Sequence, residues 1–393
     1  MLTFHPNQKL AREINTGVPA GRCSLKHAGC VIICGLLAIT LTGFQEESLD
    51  AVAYYNRGKI FYQKRDYDNA IADLNVAIKI KPDYANAYLS RGNAYYDKGN
   101  YERAIADYDQ TLKLRPNDAT AYNNRGNAYL LKKDFSRAIA DFTRATKLKP
   151  NLAEAYCNRG IAYMRCGDYD RAIADFSQAL ERRPEDAETY YNRGKAYYYQ
   201  RAYDRALADF SRAIKLKPRF AEAYTHRGMA YLKKRVFDLA IEDFTCVIKL
   251  KPDLAAAHAH RGTAYAQKGR FSRAIADYDL AIRLRREQAI AAKNRRGDFD
   301  QTIKLSPEDA DLYYHRGRAY HALGKPDRAI ADYTQAINIQ PSHANAYYSR
   351  GLAYYDKGNR YKAISDFSKV DELTKDVILR KRASKYLQAL GVN

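Results

Sequence analysis

A 34-residue period runs through the chain, with similar stretches headed by Tyr54, Tyr88, Tyr122, Tyr156, Tyr190 and Tyr224. Repetition at that interval restricts a chain to stacked units, because one unit cannot bury its apolar face alone. Numbered from Ala51, each unit carries Gly at position 8 (Gly58, Gly92, Gly126 and onward) and Ala twelve residues later (Ala70, Ala104, Ala138). Most units close on Pro, as at Pro82, Pro116, Pro150, Pro184, Pro218, Pro252 and Pro341. Apolar residues at Ala85, Tyr88, Gly92 and Tyr95 keep helical spacing, and a second stripe runs through Ala104, Ile105, Tyr108 and Leu112. Between the stripes, Gly99–Asn100 and Gly167–Asp168 read as turns. The small residues let two antiparallel helices approach, and the closing Pro stops the second one. Two helices per unit follow.

The combination of an aromatic residue at position 4, Gly at 8, Tyr at 11, Ala at 20, an aromatic at 24, Ala at 27 and Pro at 32 resembles the tetratricopeptide repeat (TPR) family over residues 51–377. Two departures stand out. Position 4 is Tyr where the family often has Trp, and position 7 is Arg where it most often has Leu; the chain contains no Trp at all. The resemblance implies an all-α fold, a right-handed α-solenoid of antiparallel helix pairs. It also implies a concave groove lined by positions 2, 5, 6, 9, 12 and 13 of the first helices.

The expected organisation is an N-terminal segment 1–50, seven units over 51–288, a truncated unit 289–309, two units over 310–377 and a capping helix over 378–393. In the cap, Val377, Leu379, Ala383, Tyr386, Leu387 and Leu390 read as the packing side. The truncated unit holds 21 residues, so the end of its first helix and the start of its second are missing. Arg286 stands where a closing Pro belongs, so the preceding helix is predicted to run from near Ser272 toward Arg296 and break at Gly297. Asp298, Phe299, Thr302 and Pro307 still fit the end of a unit. The expected consequence is a bend that divides the array.

The net charge is +21, and residues 1–50 contribute nothing to it, since Lys9, Arg12, Arg22 and Lys26 balance Glu13, Glu46, Glu47 and Asp50. The repeats are a polycation. Residues 28–44 form a run without charge, roughly 25 Å long as a helix, against about 30 Å of bilayer hydrocarbon. Basic residues precede it, so as an anchor it would place the repeats on the non-cytoplasmic side. A cleaved export signal, or a mis-assigned start ahead of a cytoplasmic protein, are the other readings. The six Cys show neither disulfide nor metal spacing, and Cys157, Cys166 and Cys246 are expected as small packing residues.

Arg at position 7 (Arg57, Arg91, Arg125, Arg159 and their counterparts) recurs with Asp at position 23 (Asp73, Asp107, Asp141, Asp175). A repeated guanidinium–carboxylate bridge is predicted, architectural rather than catalytic. As exposed pairs these would contribute only about 0–1 kcal/mol each. Tyr54, Tyr95, Tyr129 and Tyr163 are expected in the core.

Position 6 is polar in every full unit, and the resemblance assigns it to the groove. Asn56, Asn124, Asn158, Asn192, His226 and His260 are the candidates there, with Tyr191, Lys195 and Tyr198 beside them. Side-chain amides donate and accept, so an Asn series can hold an extended peptide backbone. A metal is not expected, because His226 and His260 lie on first helices of successive units, too far apart to share an ion. No phosphate loop, HExxH, GxSxG or paired-Cys motif appears, so neither catalysis nor a cofactor is expected. The function expected is a scaffold for protein segments, acidic ones given the charge. The alternative is electrostatic binding of nucleic acid or anionic lipid, with nucleic acid disfavoured because its motifs are absent.

Overall fold

A computed structural model of the protein describes residues 50–296 and 306–392, with side chains except those of residues 293–296. The 28–44 run and the positions Gly297, Asp298, Phe299 and Thr302 lie outside the described residues. Among the described residues there are nineteen helices and no strand.

They form antiparallel pairs. The first four are α1 (Ala51–Gln63) with α2 (Tyr67–Ile80), α3 (Ala85–Asp97) with α4 (Tyr101–Leu114), α5 (Ala119–Leu131) with α6 (Phe135–Leu148), and α7 (Ala153–Arg165) with α8 (Tyr169–Arg182). Next come α9 (Ala187–Tyr199) with α10 (Tyr203–Leu216), α11 (Ala221–Lys233) with α12 (Phe237–Leu250), and α13 (Ala255–Gln267) with α14 (Phe271–Arg296). The last pairs are α15 (Pro307–Ala322) with α16 (Pro326–Ile339) and α17 (Ala344–Asp356) with α18 (Arg360–Leu373), followed by α19 (Val377–Ala389). Successive first helices such as α1, α3 and α5 come within contact of one another, whereas successive second helices stand further apart. The stack therefore curves with its first helices inside.

Local chemistry sets these boundaries. Asp66, Asn100, Asp134 and Asp168 each accept a backbone N–H three residues on, capping a second helix. The core is built at position 24: Phe142, Phe176, Phe210 and Phe244 are fully buried, as are the Ala residues at position 20. Gly126 shows why position 8 stays small, since a Cβ there would meet Phe142 Cε1 at 2.7 Å. Of the tyrosines expected in the core, Tyr129 is buried there with Ala138 and Phe142. Tyr54, Tyr95 and Tyr163 are half-buried, and cations cover their rings, as Arg171 covers Tyr163 at 4.5 Å.

The arginine bridge is present in every full unit and is more buried than expected. Arg159 donates from Nε and Nη2 to both oxygens of Asp175, each at 2.7 Å, and Asp175 is 5% exposed. The third guanidinium nitrogen reaches back to position 25 of the preceding unit: Arg159 to Thr143 Oγ1 at 3.1 Å, Arg193 to Ser177 at 3.0 Å, Arg125 to Asp109 at 2.6 Å. One side chain thus joins three helices. Burial drives the carboxyl pKa of Asp107, Asp141, Asp243 and Asp332 up, while the guanidinium opposes it.

Across the short unit this ladder does not break. Arg316 pairs with Asp332 in its own unit and with Asp279 Oδ1 at 2.6 Å in α14. Elsewhere that backward step spans 16 residues and here it spans 37, a difference of the 21 residues in the short unit. Ile282 of α14 packs with Ala310 and Tyr313 of α15 in one buried cluster. α14 and α15 therefore meet as neighbouring repeats do elsewhere, in a contact that bypasses the short unit in sequence. α14 runs on past Arg286 to Arg296, where Pro would have stopped it. α15 starts at Pro307 behind a Ser306–Asp309 capping box. At the cap, Leu379 and Ala383 are buried and Tyr386 stacks on Phe367 at 5.1 Å, but Val377 is 73% exposed and leaves the packing side.

Candidate functional site

The resemblance assigns positions 2, 5, 6, 9, 12 and 13 of the first helices to the inner face, and of these positions 5, 6 and 9 engage one another in the middle of the array. Asn124 donates to Asn93 Oδ1 at 2.9 Å and Asn158 to Asn123 Oδ1 at 3.1 Å, each bridging successive units. Tyr108 adds its hydroxyl to Asn93 at 2.9 Å. Asn192 is 3% exposed, and its Nδ2 has no hydrogen-bond partner. Asn56 lies exposed at the start of the array. The position-6 amides are thus tied into the scaffold along its middle rather than standing as a free series. Asn93 and Asn123 belong to the same network and lay outside the position-6 reading.

In the following units position 6 turns to histidine on aromatic neighbours. His226 lies 3.3 Å from the Tyr191 hydroxyl and 5.9 Å from the Phe210 ring centre. His260 stacks on Phe244 at 5.4 Å, and His315 on Tyr278 at 6.1 Å across the bypassed unit. Burial lowers the pKa of all three histidines below the ordinary value, favouring neutral rings.

Among the cations of these positions Lys195 is the half-buried one. It lies over the Tyr191 ring at 5.3 Å, and its pKa is lowered by burial and by Arg165. No carboxylate pairs with Lys195 or Arg165 among the described residues. Beside them Tyr198 is half-buried, and Leu131 and Tyr199 are 48% and 51% exposed. Cys157 packs against Thr189 with its thiol pKa pushed up to about 12 by burial, whereas Cys166 stands exposed at the end of α7 rather than packed.

The high net charge is not on this face. Lys59, Arg165, Lys195, Lys233 and Arg318 share it with Asp97, Glu154, Glu188, Glu222, Asp311 and Asp356. Among the described residues no helix is long and apolar enough to cross a membrane.

Stacked helix pairs with an inner face of interlocked polar and aromatic side chains define a repeat scaffold. Profiles of the TPR repeat match residues 58–99, 92–133, 126–167 and 317–358. Tetratricopeptide repeat profiles match 153–186, 187–220, 225–289, 299–331 and 344–377. The chain belongs to the tetratricopeptide repeat family, whose members serve as protein-interaction scaffolds.

Among solved structures, a tetratricopeptide repeat protein from Parabacteroides merdae is 20% identical, with a TM-score of 0.51 over 68% of this chain and 97% of that one. A chain of the APC/C hetero-tetramer Cut9–Hcn1 is 14% identical, with a TM-score of 0.50 over 89% and 78%. Both show the fold alone. YrrB, described as a TPR protein with an unusual peptide-binding site, is 26% identical over 47% of this chain and 95% of that chain, with a TM-score of 0.41. No curated protein matches the chain.

Proposed function

We propose that the protein is a non-enzymatic scaffold whose inner face, from α5 to α11, captures an extended peptide segment. The observation that carries this reading is Lys195, a half-buried cation over the Tyr191 ring with no carboxylate partner among the described residues, beside exposed Arg165. An unpartnered cation in such a place favours an acidic side chain on the ligand. Leu131, Tyr198 and Tyr199 supply apolar contacts alongside, and large aromatic groups on a rigid helix lose little entropy on binding. Preference for acid is in this reading local to Lys195 and Arg165 and does not follow from the net charge.

The test is selection of peptides from a random display library on the full chain, followed by titration of one selected peptide against Lys195→Glu. The reading expects acidic residues flanked by apolar ones and a loss of affinity of at least about tenfold with unchanged melting temperature. Equal binding by Lys195→Glu sinks it.

A further inference from the structure

The excess charge has its own address. The second helices α2, α4, α6, α8, α10 and α12 all end at position 30, so positions 29 and 31 fall on one edge of the stack. Position 29 is an exposed cation in six of the first seven units: Lys79, Lys113, Lys147, Lys215, Lys249 and Arg283. At position 31, Lys81, Arg115, Lys149 and Arg183 add exposed cations, none with a carboxylate partner among the described residues. The fourth unit interrupts the row with Glu181, and the linkers add Asp83, Asp118, Glu185, Asp186 and Asp253. Asp118 and Asp186 are occupied in capping α5 and α9.

Helix-end electrostatics alone do not account for this row. A cation in the last turn does favour the helix dipole. Yet α16 and α18 end in the same way with Asn338, Gln340, Glu372 and Thr374 at these positions, so the fold does not require the charges. The row stops at the short unit. That unit leaves the packing continuous and divides the array electrostatically instead.

We propose that this edge of the first seven units is a docking surface for an anionic lipid membrane. Packed helices lie about 8–10 Å apart, and these second helices stand further apart than that, near or beyond the screening length of physiological salt. The cations therefore repel one another weakly and can each meet a separate headgroup. Between each pair of cations stands an aliphatic side chain, with Ile80 50% and Leu114 38% exposed. Cations flanking aliphatic groups suit the interface of an anionic bilayer. Stacking platforms for bases are missing from the row: Phe220 is buried beneath Lys217, and Tyr84 lies under Lys81. In the sequence, the uncharged run 28–44 ends six residues before α1, and an apolar element plus a polybasic surface is the pairing that holds proteins at membranes.

The test compares binding of the full chain to phosphatidylcholine vesicles with and without phosphatidylserine, and to single-stranded RNA. One variant carries Lys113→Gln, Lys147→Gln, Lys215→Gln and Lys249→Gln. A second removes the same charge from the helix-pair turns, with Arg65→Gln, Lys133→Gln, Arg201→Gln and Arg235→Gln. Circular dichroism melting establishes that both are folded. The expected result is a preference of the parent for anionic vesicles that falls about a hundredfold or more in the first variant and little in the second. An equal fall in both variants would make the effect diffuse charge and overturn the proposal. So would a parent without preference for anionic vesicles, or one that binds the RNA more tightly than the vesicles.

Discussion

Arg316 Nη1 lies 2.6 Å from Asp279 Oδ1, and this bond crosses the short unit in the register that every other unit boundary uses. The stacking across this boundary therefore keeps the register of the other units, although 21 more residues lie between the two partners. A chain in which Gln288 is joined directly to Ala310 regains the 34-residue period, and with Arg286→Pro it regains the closing residue. It is expected to keep its helicity per residue and its resistance to limited proteolysis through α15–α18. Rapid cleavage there in the deleted chain would show that the short unit holds the array together.

Asp175→Asn removes one charge from a pair whose carboxylate is 5% exposed, leaving the Arg159 guanidinium among α6, α7 and α8 without its counter-charge. Breaking such a pair is expected to cost roughly 2–4 kcal/mol, read from the denaturant midpoint. Asp73→Asn is expected to cost less, because Arg57 begins the ladder and is half-exposed.

The helix-pair turns contain a correctable strain. Arg65, Lys133, Arg201 and Arg235 take φ between 62° and 64°, at the position where other units place Gly99 or Gly167. Lys133→Gly is expected to stabilise by about 0.5–1 kcal/mol, since only glycine adopts this conformation without cost. A lower urea midpoint with an unchanged slope would contradict it.

Acid should weaken the array through His226, His260 and His315, whose pKa values burial lowers. Unfolding frees them to protonate at the ordinary value near 6.5, so the unfolded chain binds more protons below that pH. Stability is therefore whole above about pH 6.5 and falls as the pH drops beneath it. Urea midpoints across this range check the sign, and His260→Gln should flatten the slope.

The helix pairs, the Arg–Asp pairing and the long α14 were legible because each follows from spacing alone: Arg159 and Asp175 recur together, and Arg286 replaces a stop. What Asn124 and Asn158 bond to was not, because position 6 meets positions 5 and 9 of the preceding unit only once the stack is built. The placement of the cations was legible as well, since Lys79, Lys81, Lys113, Arg115, Lys215 and Lys217 recur at solvent positions of the second helices, and there they stand exposed. The bypass at Arg316 was recoverable in principle, since removing 21 residues restores the period, but the tie to Asp279 needed the structure.

The central claim, that the inner face between α5 and α11 takes a peptide, is tested most directly by site-specific photo-crosslinking of a display-selected peptide. Benzoylphenylalanine replaces Leu131, Tyr199 or Tyr361, the last 88% exposed on the second helix α18. Crosslinks at 131 and 199 and none at 361 are the predicted result. Crosslinking at 361 as strong as at 199 would contradict the account.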